Sequence, residues 1–161
     1  MKKDSFCSFC GNAFAIGMAY PKRCTCGNTT YINPAPVAVA LVPVNDGLLA
    51  VRRNIDPKKG MLALPGGFID VGETWQQAVV RELREETNIT LDIATVSHFA
   101  TLSAPDGTLL VFGLFSLQKP VELSVFQANS ETQEICVIDK NTPSLAFPLH
   151  TEVMKKYFLQ K

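Results

Sequence analysis

The pattern of hydrophobic and polar positions predicts a chain of short strands and two helices. Valine-rich residues 37–44 predict a strand, and residues 48–52 predict a second one after an Asn-Asp-Gly turn signal, so together they suggest a hairpin. Three further runs have strand-like composition, namely residues 91–102, 109–117 and 134–138. Because strands and helices alternate along the chain, we expect an α/β (α+β) fold class.

The first predicted helix spans residues 74–87, where no proline or glycine interrupts the pattern. Thr74 is suited to the N-cap, and Gln77 stands three residues later, which is the capping-box spacing. Asn88 follows the helix, and asparagine tolerates the left-handed conformation that often ends one. Residues 148–159 predict a second helix, because their hydrophobic positions repeat at helical spacing.

Three acidic residues of the first helix share one face, since Glu82, Glu85 and Glu86 are three and four positions apart. Like charges at these spacings destabilise an isolated helix by about 0.2–0.5 kcal/mol per pair. One interpretation is a solvated face that Arg81 and Arg84 partly neutralise. The other is a binding site for a hard divalent cation, which prefers carboxylate oxygens.

The segment before this helix favours the second interpretation. Its sequence is Gly-Gly-Phe-Ile-Asp-Val-Gly-Glu over residues 66–73, so glycines punctuate a loop that ends in an acid. Glycine lets the backbone approach a bound group closely, and the Gly66 carbonyl could then join the site. Glu73 precedes the helix and could reach the same cation.

The loop and the helix together resemble the motif of the Nudix hydrolases. Gly67 is followed after five residues by Glu73, and after seven more by Arg-Glu-Leu-Arg-Glu-Glu-Thr-Asn-Ile at 81–89. Every fixed position of that motif is matched except its last glycine, which here is Asn88. The substitution is mild, because asparagine is the next-best residue at a left-handed helix end.

The resemblance implies a Nudix-type mixed sheet sandwiched between helices, with the motif forming a loop–helix–loop. It implies Mg²⁺ or Mn²⁺ as cofactor, held by carboxylates and one carbonyl of the motif: Glu73, Glu82, Glu85, Glu86 and the Gly66 carbonyl. Glu85 and Glu86 are then catalytic, and Arg81 orients a glutamate. The implied reaction is attack of water on phosphorus in a nucleoside diphosphate linked to another moiety, such as FAD or ADP-ribose. A small-molecule nucleotide is the expected partner.

A general base is also expected, because members of the family often recruit a glutamate from a loop well after the motif. Glu131 is the candidate here, with Glu134 or a glutamate of the motif as alternatives. A plain surface carboxylate is the competing interpretation for Glu131 and Glu134, since no pattern in the sequence determines their geometry.

Three residues are candidates for substrate binding. Arg52 and Arg53 end a predicted strand, and arginine binds phosphate through paired donors. Adjacent strand residues point to opposite faces, so only one of the two can face a pocket. Phe68 could stack on a base, although packing in the core is the safer interpretation.

Residues 1–33 differ from the rest, because they hold four of the five cysteines. The four are Cys7, Cys10, Cys24 and Cys26. Their number and grouping predict a structural Zn²⁺ in a small N-terminal zinc-ribbon module. The second pair is one residue shorter than a Cys-x-x-Cys pair, so free cysteines or a redox pair stay open as alternatives. Residues 34–161 form the expected Nudix hydrolase domain.

The module resembles the zinc ribbons that precede certain Nudix domains, including those of the NADH pyrophosphatase group. That group carries a Ser-Gln-Pro-Trp-Trp motif after the Nudix box, and the motif is absent here. The only tryptophan, Trp75, lies inside the box, so NADH is not assigned as the substrate.

Charge and hydropathy limit the partners. The formal net charge is +0, which argues against a nucleic-acid partner and makes a binding module the weaker hypothesis. The longest apolar run, residues 37–44, is shorter than the ~20 residues of a membrane-spanning helix. No apolar stretch follows the first residues, so we expect no signal peptide and a cytoplasmic location. The oligomeric state is undetermined, and a homodimer is compatible with the sequence.

Overall fold

A computed structural model of the protein describes residues 5–116 and 119–161. Internal contacts divide the chain into two compact units, Met1–Pro34 and Ala35–Lys161. The predicted division after residue 33 lies beside this boundary. The smaller unit holds the four grouped cysteines, and the larger unit holds both helices.

The small unit has two short antiparallel strands, β1 (Lys22–Arg23) and β2 (Thr29–Thr30). Two tight turns contain the cysteine pairs. The Gly11 N–H donates to the Cys7 carbonyl at 3.0 Å, and the Gly27 N–H donates to the Cys24 carbonyl at 3.0 Å. Both glycines have positive φ, 74° and 89°, which glycine adopts without steric cost. Each pair is therefore folded back on itself by its own glycine turn.

The larger unit contains eight strands and two helices within the described residues. In chain order they are β3 (Ala35–Leu41), β4 (Pro43–Val44), β5 (Gly47–Arg53), β6 (Leu62–Ala63), β7 (Gly66–Phe68), α1 (Trp75–Thr87), β8 (Val96–Ser103), β9 (Thr108–Phe115), β10 (Thr132–Ile138) and α2 (Pro148–Leu159). One four-stranded sheet has the order β7-β3-β9-β8, with β3 and β9 parallel and the other pairs antiparallel. The other sheet has the antiparallel order β10-β5-β4, and β6 also pairs with β5. The predicted α+β class with a mixed sheet is confirmed.

Strand β3 is buried on both faces, and this determines where the helices pack. Val39 and Leu41 belong to a core cluster that includes residues of α2. Ala38 and Ala40, on the opposite face, belong to a second cluster that includes residues of α1. The mixed sheet therefore lies between the two helices, as the resemblance implied.

Both helix predictions are confirmed, and the ends of α1 show the reason. Thr74 Oγ1 accepts from the Gln77 N–H at 3.3 Å, and Gln77 Oε1 accepts from the Thr74 N–H at 2.7 Å. This capping box satisfies donors that a helix start leaves free. At the other end Asn88 has φ 60°, and its N–H donates to the Arg84 carbonyl at 2.8 Å. Local sequence therefore determines both ends of the helix.

The two helices have 13 and 12 residues. Within residues 5–116 and 119–161, no helix combines the length and the apolar content that crossing a membrane requires.

The predicted hairpin is wrong in its first half. Strand β3 pairs with β7 and β9 in one sheet, and of the predicted first strand only the short β4 pairs with β5, in the other sheet. The chain passes between the sheets just before Pro43, which has no N–H with which to continue a ladder. Hydrophobicity does not reveal this crossing, because the residues on either side of it are equally apolar.

Strand β7 and the start of β8 also differ from the prediction. The glycines of β7 are typical of a loop, yet a Cβ at Gly66 would collide with the Ala38 carbonyl oxygen, so only glycine lets β7 approach β3. Strand β8 begins at Val96 because a 3-10 turn, Ile93–Thr95, precedes it. Leu117, the last residue of one predicted strand, lies outside the described residues.

His150, in the first turn of α2, is buried and links this helix to the residue after β6. Its Nδ1 accepts a hydrogen bond from the Leu64 N–H at 3.3 Å, and its ring contacts those of Phe112 and Phe147. Burial lowers the pKa of His150 to about 3, and the positive charge of Arg53 acts in the same direction. The ring is therefore neutral. No pattern in the sequence assigns this histidine a role.

We predict that burial of His150 makes the protein less stable as the pH falls below about 6.5, the pKa of a histidine in an unfolded chain. Between that pH and the folded-state pKa of about 3, the unfolded state binds the extra proton, so the free energy of unfolding decreases with decreasing pH. Replacing His150 with Asn removes this contribution. The stability difference between the wild type and H150N should shrink by about 2 kcal/mol between pH 7 and pH 5.

Urea unfolding at each pH measures this difference. His98→Asn is the matched control, because His98 is the other histidine of the chain and is exposed on β8. A wild type and an H150N variant whose stabilities differ by the same amount at both pH values would contradict a neutral, buried His150.

Candidate active site

Two glutamates of α1 are buried against the glycine strand β7. Glu82 is 8% exposed and Glu86 is 6% exposed. The Gly66 N–H donates to Glu86 Oε2 at 3.0 Å. A Cβ at Gly67 would lie 2.5 Å from the carboxyl carbon of Glu82, so the absence of a side chain there makes room for the carboxylate. A solvated face is therefore not the environment of these two acids.

Arg81 joins the glutamates of the motif. Its Nη2 and Nε donate to the two carboxylate oxygens of Glu73, at 2.6 and 3.2 Å. Its Nη1 donates to Glu82 Oε1 at 2.7 Å and to Glu85 Oε2 at 3.2 Å. Its Nη2 also donates to the Phe68 carbonyl at 2.8 Å. One planar guanidinium therefore fixes three carboxylates and the end of β7, which a point charge could not do.

The electrostatics of the cluster follow from burial. Burial raises the pKa of Glu86 to about 8; the hydrogen bond from Gly66 opposes this, and the charges of Glu82 and Glu131 add to it. Burial also raises the pKa of Glu82, against the effect of Arg81. The hydrogen bonds from Arg81 lower the pKa of Glu73. The buried carboxylates repel one another, and a bound cation would reduce this repulsion.

The donor chemistry of this cluster fits a hard divalent cation, which prefers carboxylate and carbonyl oxygens. In the described part of the chain, no three of these carboxylates converge on one point. Among residues 5–116 and 119–161, only the four cysteines form a group of three or more metal-ligating side chains whose ligand atoms all lie within 4.8 Å of one another. Arg81 binds Glu82 and Glu85 and also Glu73, whereas Glu86 binds the Gly66 N–H.

Asn129 docks the loop before β10 on the end of α1. Its Nδ2 donates to the Glu85 carbonyl at 3.0 Å, and its Oδ1 accepts from the N–H groups of Glu131 and Thr132, both at 2.9 Å. The Asn54 N–H donates to the Glu131 carbonyl at 2.7 Å. The sequence analysis did not identify Asn129 as a residue that positions this loop. The signal for it is local, because asparagine side chains often accept a hydrogen bond from the backbone N–H two residues later in a turn.

The predicted general bases lie in different surroundings. Glu131 lies in the docked loop, and its charge contributes to the raised pKa values of Glu82 and Glu86. Glu134 instead pairs with Arg52, whose Nε lies 2.7 Å from Glu134 Oε1. Glu131 is therefore the member of the pair that lies within electrostatic reach of the carboxylate cluster.

A cavity of about 630 Å³ borders the glycine strand. Its walls are mostly apolar, and Gly66, Gly67, Phe68 and Arg53 line it. The volume falls within the range of roughly 300–1,000 Å³ that is usual for small-molecule sites. The Arg53 Nε donates to the Pro57 carbonyl at 2.9 Å, and its guanidinium lies 5.1 Å from the Phe147 ring centre.

Arg52 is not among the residues that line this cavity. Besides Glu134, its Nη1 binds the Gly60 carbonyl at 2.8 Å. The two adjacent arginines therefore differ as the alternation of a strand predicts, and Arg53 is the one that faces the cavity.

The four cysteines of the small unit form one group, because all their Sγ atoms lie within 4.8 Å of one another. The shortest cross-pair distances are 3.6 Å, between Cys10 and Cys24, and 3.8 Å, between Cys7 and Cys26. All four are free thiols. Backbone N–H groups lower the pKa of Cys7 to about 6. The shortened second pair thus still brings both of its sulfurs to the group.

Comparison with known proteins gives a family match for most of the chain. The family model of the NUDIX domain matches residues 34–156. The chain is similar to an ADP-ribose pyrophosphatase of Methanocaldococcus jannaschii, at 31% identity over 174 residues covering 100% of this chain and 99% of that relative. It is similar to an NAD-capped RNA hydrolase NudC of Photobacterium profundum at 31% identity over 100 residues, covering 61% of this chain and 36% of that relative.

Among solved structures, a NUDIX hydrolase from Nitrosomonas europaea has the same fold. The TM-score is 0.74 at 24% identity, over 98% of this chain and 92% of that one. The family model covers most of the chain, and the archaeal relative matches along its whole length. The carboxylate cluster built on the glycine strand and α1 is thus the motif region of a chain that belongs to the Nudix hydrolase family.

Proposed function

We propose that this Nudix hydrolase cleaves the diphosphate linkage of ADP-ribose, or of a similar nucleoside diphosphate joined to a second moiety such as FAD, by attack of water on phosphorus. The observation that carries the proposal is the pair of buried carboxylates, Glu82 and Glu86, held against the strand that also lines the large cavity. The name of the full-length relative, an ADP-ribose pyrophosphatase, supports this substrate class.

The cation that fits the cluster is Mg²⁺ or Mn²⁺. Glu82, Glu85 and Glu86 would hold it, with Glu73 and the Gly66 carbonyl assisting. When bound, such a cation supplies charge neutralisation at the diphosphate and Lewis-acid activation. Arg81 acts as a positioning residue, because its bonds to three of these carboxylates set their orientation.

Glu131 is our candidate for the general base, which would accept a proton from the attacking water. Its loop is fixed by Asn129 and Asn54, and its charge is coupled to those of Glu82 and Glu86. This alternative is favoured over Glu134, whose carboxylate is already engaged by Arg52.

The cavity would take the part of the substrate beyond the diphosphate. Arg53 offers donors for a phosphate oxygen at its edge, because within residues 5–116 and 119–161 only its Nε has a hydrogen-bond partner, the Pro57 carbonyl. Phe68 lines the cavity and is 62% exposed, which leaves its ring free to stack on a flat group. Arg52 is the weaker candidate for substrate binding, since its side chain binds Glu134 and Gly60.

We further propose that the four cysteines hold a structural Zn²⁺. Four sulfurs in one group match a closed tetrahedral site. In residues 5–33, the buried side chains are only those of Cys7, Cys24 and Thr30, so this unit has almost no core of its own. Metal binding would supply the missing stability. The division into residues 1–33 and 34–161, a cytoplasmic location and a homodimer stay predictions.

The proposed reaction is tested with a panel of ADP-ribose, FAD, NADH, nucleotide sugars and dinucleoside polyphosphates, each with Mg²⁺ or Mn²⁺. We expect release of a mononucleotide, above all from ADP-ribose. Glu86→Gln removes a charge from the cation site and should lower kcat by about 100-fold or more. This loss exceeds the roughly 10–100-fold that is typical when a residue hydrogen-bonded to a metal ligand is replaced. Glu152→Gln on the exposed face of α2 is the matched control. Absence of hydrolysis across the panel would falsify the enzymatic proposal.

The role of Arg81 is tested by Arg81→Lys, which keeps the charge but loses the planar fork. Because lysine cannot bind Glu73, Glu82 and Glu85 together, the Mg²⁺ concentration for half-maximal activity should rise about 10-fold or more. Arg84→Lys is the control, since Arg84 is exposed and its nearest carboxylate contact is 4.0 Å long. Equal Mg²⁺ dependence of the two variants would argue against a positioning role.

The zinc site is tested by elemental analysis of the purified protein. We expect about one zinc per chain, because four thiolates complete one tetrahedral site. Cys26→Ser should lower the zinc content sharply, whereas Cys136→Ser, on β10, should leave it unchanged. A zinc content that does not respond to Cys26→Ser would contradict the proposed site.

A further inference from the structure

His150 is a polar side chain that the proposed reaction does not use, although it lines the cavity. It is 5% exposed. Its Nδ1 accepts the Leu64 N–H, so in the neutral ring the proton is on Nε2. Within residues 5–116 and 119–161, no hydrogen bond to this Nε2 is found. The only fully enclosed side-chain N or O atom without a partner in the same residues is Thr132 Oγ1, so Nε2 keeps some exposed surface on a side chain that lines the cavity.

The direction of this donor is fixed by packing. The ring of Phe112 lies edge-on to that of His150 with centres 5.8 Å apart, and the ring of Phe147 lies 5.1 Å away. Together with the Leu64 hydrogen bond, these contacts leave the imidazole little freedom to rotate. Burial keeps the ring neutral, with a pKa of about 3. His150 therefore presents one N–H donor, and no acceptor, to whatever occupies the cavity.

The rest of the lining favours a mostly apolar ligand group. Aliphatic and aromatic side chains dominate the wall near His150, among them Leu64, Leu110 and Leu149. The polar pair Asp106 and Thr108 is bonded to itself, through the Thr108 N–H and hydroxyl. A phosphate would need charge, which the neutral His150 ring cannot provide and which Arg53, on the other side of the Phe147 ring contact, does. A heteroaromatic ring with a lone-pair nitrogen matches one neutral donor in an apolar cavity.

We propose that His150 Nε2–H donates a hydrogen bond to a ring acceptor of the substrate's nucleobase and thereby determines which base the cavity accepts. This inference rests on the proposed function, because the base belongs to the nucleoside diphosphate that the site would cleave. His150 is then a specificity-determining residue, remote from the phosphorus atoms. A site with a buried donor discriminates against ligands that leave this donor unpaired.

Two variants separate the donor from the structural bond to Leu64. In His150→Asn, the amide oxygen can replace Nδ1 as acceptor, but no donor reaches the cavity. In His150→Gln, the amide nitrogen can replace Nε2 as donor, and the bond to the Leu64 N–H is lost. For ADP-ribose hydrolysis, we expect H150N to raise KM about 10-fold to 100-fold with little change in kcat. H150Q should stay within a few-fold of the wild type. The opposite order would show a purely structural histidine and would overturn the proposal.

Substrate analogues give an independent readout. In a series of ADP-ribose analogues, each of the adenine ring acceptors N1, N3 and N7 in turn is replaced by C–H, which removes one acceptor at nearly constant shape. One analogue should lose about 10-fold or more in kcat/KM with the wild type and lose nothing further with H150N, because the same bond is already absent. A wild type that is indifferent to all the analogues would overturn the inference and leave the proposed hydrolysis intact.

Calorimetric measurement of AMP binding tests the base contact of His150 separately from the proposed hydrolysis. If no substrate is hydrolysed, the proposed function fails, whereas the base site is still tested by AMP binding to the wild type, H150N and H150Q. We expect H150N to weaken AMP binding about 10-fold or more and H150Q to retain it. AMP affinities that are equal in the wild type and H150N would overturn the role of His150.

Discussion

The contact between the glycine strand β7 and helix α1 is the constraint on which the site depends. Burying Glu82 and Glu86 is unfavourable unless their charges find partners. Here the Gly66 N–H donates to Glu86, Arg81 donates to Glu82, and Gly67 leaves the space that the Glu82 carboxylate occupies. A side chain at Gly66 would push β7 away from β3, and one at Gly67 would displace the Glu82 carboxylate. In this part of the molecule, the same two glycines therefore determine both the path of the backbone and the positions of the buried charges.

The same strand connects the carboxylates to the cavity. Gly66 and Gly67 contact the acids of α1 and also line the cavity, whose wall includes residues from the first turn of α2. Because β3 is buried on both faces, the two helices are held at fixed places on either side of the sheet. In the proposed function, this geometry lets one ligand place its base in the cavity and its diphosphate near the glutamates.

The sequence predicted the local features well and the long-range ones unevenly. The bounds of α2 and the capped ends of α1 follow from side chains within a few residues, and both are confirmed. The fold class is confirmed as well. The pairing of β3 was not predictable, because the chain changes sheets at an apolar position where no periodicity changes. Strand β7 was missed since its glycines disfavour a strand in isolation and are required only by the approach of β3.

For the site, the sequence by itself determined which acids share a face of α1. It also determined which glycines precede these acids and which arginine lies among them. All of these follow from helical spacing and motif spacing, which are local. Only the tertiary structure decided that Arg53 rather than Arg52 lines the cavity, that Asn129 docks the loop of Glu131, and that a buried His150 lines the same cavity. These relations join residues far apart in the chain, and burial rather than residue type sets their chemistry.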